Sequence, residues 1–259
     1  MPDVPRCRKI LNILDNYDSC TINDLARLLT VSHMSIRRDL KQLQERGLVH
    51  LSYGGMVKKR FLDQSLGYDI KETRSSESKK IIGQRACDLL QPDMVVFMDG
   101  GTTVREMIPY IQQPITVITL DLSIAMALNS KPEVKLILCP GEVIPRSRAC
   151  YNSETIRYLS ERITDIAFIG ADGYSSEFGA LTTSQIKADC KWMAIRRSIQ
   201  PVLLVDESKL NILCRYKIAD MSTFHQVITD GEQSERYQNA ESASSPAIEK
   251  FTLESRRVR

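Results

Sequence analysis

The chain has 259 residues, 42% hydrophobic, 26% charged and 6% aromatic, a balance that excludes collagenous, coiled-coil and disordered chains and fits one large globular domain or two smaller ones. No apolar run approaches the ~18 residues a membrane-spanning helix needs. The first twenty residues carry Asp3, Arg6, Arg8, Lys9, Asp15 and Asp18 in place of an apolar signal core, so a cytoplasmic chain with no membrane partner is expected. Seven cysteines lie singly along the chain with no Cys-x-x-Cys pair, which argues against a disulfide framework or a zinc site and leaves reduced, packed thiols. Charge is unevenly spread: residues 1 to 60 hold eleven Lys or Arg against six Asp or Glu, and the remaining 199 hold 24 against 26. A basic first quarter on a near-neutral remainder suggests a nucleic-acid-binding head on a body with another task.

In chain order, Ile10, Leu11, Ile13 and Leu14 at helical spacing after Pro5 predict a first helix that ends at the turn-forming run Asn16-Tyr17-Asp18-Ser19. Thr21-Ile22-Asn23-Asp24 reads as an N-cap with an acidic residue three positions on. Leu25, Leu28 and Leu29 form the buried face of the short helix that follows, which stops near Thr30. Ser32 caps a third helix in which Ile36, Leu40 and Leu43 make an apolar stripe, with Gly47 as its stop. Its other face presents His33, Met34, Ser35, Arg37, Arg38, Lys41 and Gln42. Leu48 to Val57 then reads as two short strands, a wing beside the third helix.

A polar, cationic helix of this kind suits a major groove, because Arg makes paired hydrogen bonds to guanine while Lys, Ser and the helix start hold phosphates. The charge pattern alone is also what a solvated helix in a protein-binding domain shows. The ordered run from Val31 to Leu43, with Gly47-Leu48 and Gly54-Gly55 after it, resembles the signature of DeoR-type bacterial transcription regulators. That resemblance implies a dimeric or tetrameric repressor whose third helix enters operator DNA. Leu51 and Tyr53 stand where the family usually has Arg and His before the glycine pair.

Beyond Lys58-Lys59-Arg60 a polar stretch leads to Ser75-Ser76-Glu77-Ser78, suited to capping an amphipathic helix over 79–90 that carries Ile82, Ala86, Leu89 and Leu90 on one face. From Met94 onward, strand patterns at 95–98, 115–119, 134–138, 166–169, 202–205 and 227–228 alternate with helices near 103–111, 122–129, 153–162 and 185–199, as in a largely parallel sheet covered by helices. The expected organisation is an α+β two-domain chain. A winged helix-turn-helix over 1–57 and a linker over 58–76 precede an α/β effector domain over 77–230. A polar tail over 231–259 follows, with a possible last strand at 251–253.

Ligands of such sheets sit beyond the carboxyl ends of the strands. There the chain places Asp99-Gly100-Gly101-Thr102-Thr103, Asp121, Gly170-Ala171-Asp172-Gly173 and Asp206-Glu207-Ser208-Lys209. Thr103-x-x-Glu106 resembles a capping box, so the Gly-Thr turn would lie at a helix N-terminus favourable to phosphate, although a Gly-Gly-Thr-Thr turn alone is also an ordinary strand-to-helix connection. Carboxylates suit sugar hydroxyls and Lys209 suits phosphate. The same turns resemble the effector domain of DeoR-type regulators, a fold related to ribose-5-phosphate isomerase. By that likeness Asp99, Gly100, Thr102 and Thr103 hold the phosphate of a sugar phosphate, and Asp172, Lys191, Asp206 and Lys209 line the rest of the pocket. Gly101, Asp121 and Gly173 belong to the same expected effector site. Asp121 stands where the family commonly has Asn, and Lys187 and Asp189 where it usually has Glu. Trp192 and Met193 are expected to pack on the sheet.

Three functions compete on these residues. The first is a ligand-controlled regulator bound to double-stranded operator DNA and to a phosphorylated sugar, with no catalytic residue, metal or cofactor. The second is a sugar-phosphate isomerase with an added head, in which Asp172 or Asp99 would be the base. The third is a protein-interaction adaptor. The cationic third helix favours the first.

Overall fold

The computed structural model describes residues 4–16, 20–45, 48–51, 55–59, 68–73, 75–144, 147–210 and 212–230. Gly47, Tyr53, Gly54 and the tail from 231, with its expected last strand, lie outside them. In the head, α1 (Val4–Asn16), α2 (Ile22–Leu29) and α3 (His33–Glu45) pack around Ile10, Leu14, Leu25, Ile36, Leu40 and Leu43. Thr21 caps α2 as its sequence requires: its hydroxyl accepts the Asp24 N–H at 3.1 Å, and the Asp24 carboxylate accepts the Thr21 N–H at 3.1 Å. Thr30 closes α2 in the left-handed region at φ 54.

Asp39 is fully buried although it stands on the helix expected to read DNA. Its carboxylate accepts from the Arg6 guanidinium at 3.0 Å, which fastens α3 to α1. The wing is an antiparallel pair, β2 (Val49–Leu51) with β3 (Met56–Lys59), and β3 also pairs with β1 (Cys20–Thr21). Inside the stretch expected as linker, residues 68–73 form α4 (Tyr68–Thr73).

The body is built on six parallel strands. They are β4 (Val95–Met98), β5 (Ile115–Thr119), β6 (Val134–Leu138), β9 (Thr164–Gly170), β12 (Ser198–Leu204) and β14 (Gln226–Ile228), in the order β14-β12-β9-β4-β5-β6. Alternation along the strands feeds two cores. Val96, Met98, Ile166 and Phe168 face α5 (Ser76–Cys87), α6 (Thr102–Arg105) and α7 (Leu122–Leu128), while Phe97, Ala167 and Ile169 face α8 (Ser153–Ser160) and α9 (Gln185–Arg196). After β4 the chain steps outward through β5 and β6, then returns to the other side of β4 with β9. The strand order therefore reverses between β4 and β9, where a crevice opens at the carboxyl ends of a parallel sheet.

Two smaller units carry no periodicity signal in the sequence. One is the hairpin β7 (Val143–Ile144) with β8 (Ala149–Cys150); the other is an antiparallel sheet of β10 (Gly173–Ser175), β11 (Gly179–Thr182) and β13 (Tyr216–Ala219). Trp192 corrects a further expectation. It is 40% exposed and lies under the Arg196 guanidinium at 5.9 Å, because α9 turns it away from the sheet, whereas Met193 packs against the core. All seven cysteines are buried and free, and burial pushes the Cys87, Cys139, Cys190 and Cys214 thiols up to about 12, so they are inert as nucleophiles. The head core continues into the body through Leu181, Ile212 and Cys214, and Arg8 meets Glu207 at 3.7 Å.

Candidate functional site

Two surfaces bear on function. The first is the outer face of α3. The Ser32 hydroxyl accepts the Ser35 N–H at 3.3 Å and opens the helix as a cap. With Ile36, Leu40 and Leu43 turned inward, His33, Met34, Arg37, Arg38 and Lys41 are exposed and Ser35 half-exposed. Among the described residues Arg37, Arg38 and Lys41 form no ion pair, so their donors remain available to an external acceptor.

The second is a cavity of about 480 Å³ at the switch point, large enough for a phosphorylated sugar. Gly100 to Val104 enter it after β4, Gly170 to Asp172 after β9, and Asp206, Ser208 and Lys209 after β12. α9 adds Lys187 and Lys191, and the segments before β4 add Lys71 and Lys79. Gly101 adopts φ +149, a conformation that disfavours side chains although a Cβ there would meet nothing within 4 Å, while a Cβ at Gly100 would come within 2.9 Å of the Tyr151 hydroxyl.

Lys191 and Lys71 are internally neutralised. Lys191 hydrogen-bonds Asp99 directly and the Gly170 carbonyl at 3.1 Å, while Lys71 meets Asp172 at 2.5 Å. Asp172 also accepts the Thr182 hydroxyl at 2.8 Å. Burial alone would push the Asp172 carboxyl up, but the Lys71 ammonium beside it, with Lys187 and Lys209, holds it well below the usual range. Lys79 is 3% exposed and donates to the Lys71 carbonyl. Burial draws its ammonium down to about 8 against the opposing pull of Asp206. Lys187 is likewise lowered by burial, and its ammonium stands 5.6 Å from the Tyr151 ring.

The geometry corrects four expectations. Asp99 does not face the cavity: it is fully buried behind Lys191, where its carboxylate also accepts the Gly170 N–H at 3.0 Å, and a carboxylate there orients a cation rather than touching a phosphate. Asp121 is the buried cap of α7, accepting the Ser123 and Ile124 N–H groups at 2.7 and 3.0 Å, and is not among the residues lining the cavity. Burial pushes its carboxyl up to about 6, partly offset by those cap hydrogen bonds. Gly173 is a packing glycine, since a Cβ there would lie 2.0 Å from the Ile212 carbonyl oxygen. Finally, the Thr103 capping box does not form. α6 starts from Gly101 with no side-chain cap and lasts four residues, so the lysines, more than a helix dipole, make this site cationic.

Of the other expected positions, Gly100, Gly101, Thr102, Thr103, Asp172, Lys191, Asp206 and Lys209 do come together around the cavity. Lys71, Lys79, Lys187 and Tyr151 complete it without having been expected. A signal existed for Lys79, which stands three and seven residues before Ile82 and Ala86 on the buried stripe of α5. Gln42 and Glu45 of α3 also line the cavity, so the same helix carries the exposed arginines and part of the cavity wall.

A winged helix-turn-helix joined to a sheet with a cationic cavity at its switch point defines a DNA-binding regulator with a sensor domain. Residues 6–60 match the DeoR-like helix-turn-helix domain and residues 74–231 the DeoR C terminal sensor domain. The chain belongs to the DeoR family of transcriptional regulators. It is 30% identical over 232 residues to the uncharacterized HTH-type transcriptional regulator YgbI of Escherichia coli, covering 89% of this chain and 91% of that one. To the HTH-type transcriptional regulator GlpR of Haloferax volcanii it is 29% identical, over 87% of this chain and 89% of GlpR. The lactose phosphotransferase system repressor of Staphylococcus epidermidis is 27% identical, over 92% and 96%. Among solved structures, ribose 5-phosphate isomerase A of Methanocaldococcus jannaschii aligns with 52% of this chain and 54% of its own at TM-score 0.39 and 21% identity. That likeness is too loose to bear on function.

Proposed function

We propose that the protein represses a carbohydrate-uptake or sugar-metabolism operon and that a phosphorylated sugar in the cavity controls its hold on DNA. Ser32, His33, Met34, Ser35, Arg37, Arg38 and Lys41 contact the operator, with Arg37 and Arg38 reading guanines and Lys41 holding phosphate. Two or four copies bind a pseudo-palindromic site in the cytoplasm. The names of relatives support the repressor reading, including the HTH-type transcriptional repressor GlcR of Bacillus subtilis and the lactose phosphotransferase system repressor. Thr102, Thr103, Lys191 and Lys209 take the phosphate, and Asp172 and Asp206 the sugar hydroxyls.

The observation that carries ligand control is the shared wall. Arg38, Gln42 and Glu45 follow one another at i, i+4 and i+7 along α3, and the last two border the cavity. An anion placed there meets the Glu45 carboxylate and changes the free energy of seating α3 against the body, and by linkage DNA changes the affinity for that anion equally. The test is selection of genomic fragments by the purified chain, with and without a mixture of sugar phosphates. A repeated, roughly palindromic site whose recovery changes with the sugars is the expected result. No enriched site in either condition defeats the reading.

A further inference from the structure

Some of the cavity's best donors and acceptors are held by one short helix. α4 lies between head and body in the chain, and its Lys71 lines the cavity. The Lys71 carbonyl oxygen accepts both the Lys79 ammonium and the Thr102 hydroxyl, the latter at 3.4 Å, while the Lys71 ammonium meets Asp172 at 2.5 Å. An ammonium and a hydroxyl that converge on one acceptor oxygen are the donors a phosphate oxygen takes, and a carboxylate is the acceptor that sugar hydroxyls take. α4 fills both kinds of place with its own backbone and side chain. Six residues do not sustain a helix alone, so α4 depends on its attachments. Outside the cavity these are Tyr68, buried with the Arg148 guanidinium 4.7 Å from its ring, and Glu72, which accepts from Arg105 at 2.8 Å with both side chains partly exposed.

We infer that α4 is a built-in competitor of the effector: the Lys71 carbonyl occupies the place of a phosphate oxygen at Thr102 and Lys79, and a phosphate that docks there expels the helix. This rests on the reading of the cavity as a sugar-phosphate site and adds how that site is regulated. A neutral carbonyl is a weaker acceptor for an ammonium than a charged phosphate oxygen, so the exchange favours the ligand. Once α4 leaves, Asp172 loses Lys71, keeps the Thr182 hydroxyl at 2.8 Å and is open to sugar hydroxyls. The wing strand β3 ends at Lys59 and α5 begins at Ser76, so expelling α4 turns a tether over 60–67 into one over 60–75 and loosens the head from the body. The apparent affinity for the ligand is reduced in proportion to the fraction of chains in which α4 is undocked.

The test is amide hydrogen exchange of the full chain, with and without a mixture of sugar phosphates, followed over residues 100–104 and 68–73. Exchange is expected to slow over 100–104 and to speed up over 68–73, the opposite of what a wall segment closing on its ligand shows. Glu72 and Arg105 do not line the cavity, so Glu72→Gln weakens the docking of α4 without touching a ligand-binding group. It is expected to lower the half-saturating concentration of the mixture roughly two- to fivefold, and Tyr68→Ala roughly tenfold or more. Should Tyr68→Ala unfold more than α4, Glu72→Gln at its partly exposed position still decides the sign. Slower or unchanged exchange over 68–73 while 100–104 is protected overturns the inference alone, as does unchanged or weaker binding in Glu72→Gln. No protection over 100–104 with any concentration of the mixture overturns the sugar-phosphate reading with it.

Discussion

The two cationic regions of this molecule are built on opposite terms. On α3, Arg37, Arg38 and Lys41 stand in water with no ion pair among the described residues, and an apolar stripe on the far side of the helix holds them in place. In the cavity, Lys71, Lys79 and Lys191 are wholly or largely out of water and are held by carboxylates and carbonyls. Exposed cations cost the fold little, and they serve a polyanion whose own charge supplies the binding energy through released counter-ions. Buried cations cost the fold much. They serve a small ligand whose few charges must be met at fixed points. Removing a charge from the first region should therefore change binding and leave stability alone, whereas removing one from the second should change both.

The largest effect expected is at the Asp99–Lys191 pair. Asp99→Ala leaves a buried ammonium uncompensated and should lower the unfolding free energy by about 3–5 kcal/mol, measured by urea denaturation. A loss below about 1 kcal/mol would mean that water reaches the pair. On α3, Arg37→Ala and Arg38→Ala should each weaken operator binding by about 1–3 kcal/mol with an unchanged melting temperature, and Lys41→Ala should flatten the salt dependence of binding. If the arginine variants melt earlier instead, the claim that these cations are energetically idle in the fold fails.

A smaller effect is expected at Asp121. Burial raises its carboxyl to about 6, above the unfolded value of 3.8, so ionising it costs stability that is lost as pH rises from about 4 through 6 and stays lost above. Asp121→Asn keeps the cap oxygen for Ser123 and Ile124 without the charge. It should therefore gain about 1–3 kcal/mol at pH 7 and close to nothing at pH 4, as read by thermal unfolding at both pH values. The smallest effect is Thr21→Ala, which removes one side of the capping box of α2 and should cost ~1 kcal/mol of head stability.

Much of the head is legible in the amino-acid sequence because its signals are local. A capping box four residues long, an apolar stripe at i, i+4 and i+7, and a serine before a helix act within one or two turns of chain. The six parallel strands are legible for a similar reason, since strands buried on both faces are short apolar runs bounded by turns. The antiparallel sheet of β10, β11 and β13 is not: its strands are three or four residues long, and β13 pairs with β11 from more than thirty residues away. The candidate site divides the same way. Gly100, Thr102, Asp206 and Lys209 follow strand ends and are found by position, whereas Lys71, in the stretch expected as linker, has no local mark.

By itself, then, the sequence determined the class of protein, the helix offered to DNA and the strand-end turns around which a ligand site forms, because each depends on periodicity and capping between near neighbours. Tertiary structure alone decided which charges are spent. Asp99 and Asp121 look equivalent to Asp172 and Asp206 along the chain, yet the first is turned inward onto Lys191 and the second onto the start of α7. Lys79 and Lys187 border the cavity with no carboxylate within salt-bridge distance among the described residues. Whether a charge is paired depends on side chains that meet across distances of up to 101 residues, and on the dielectric they meet in, neither of which is written in local spacing.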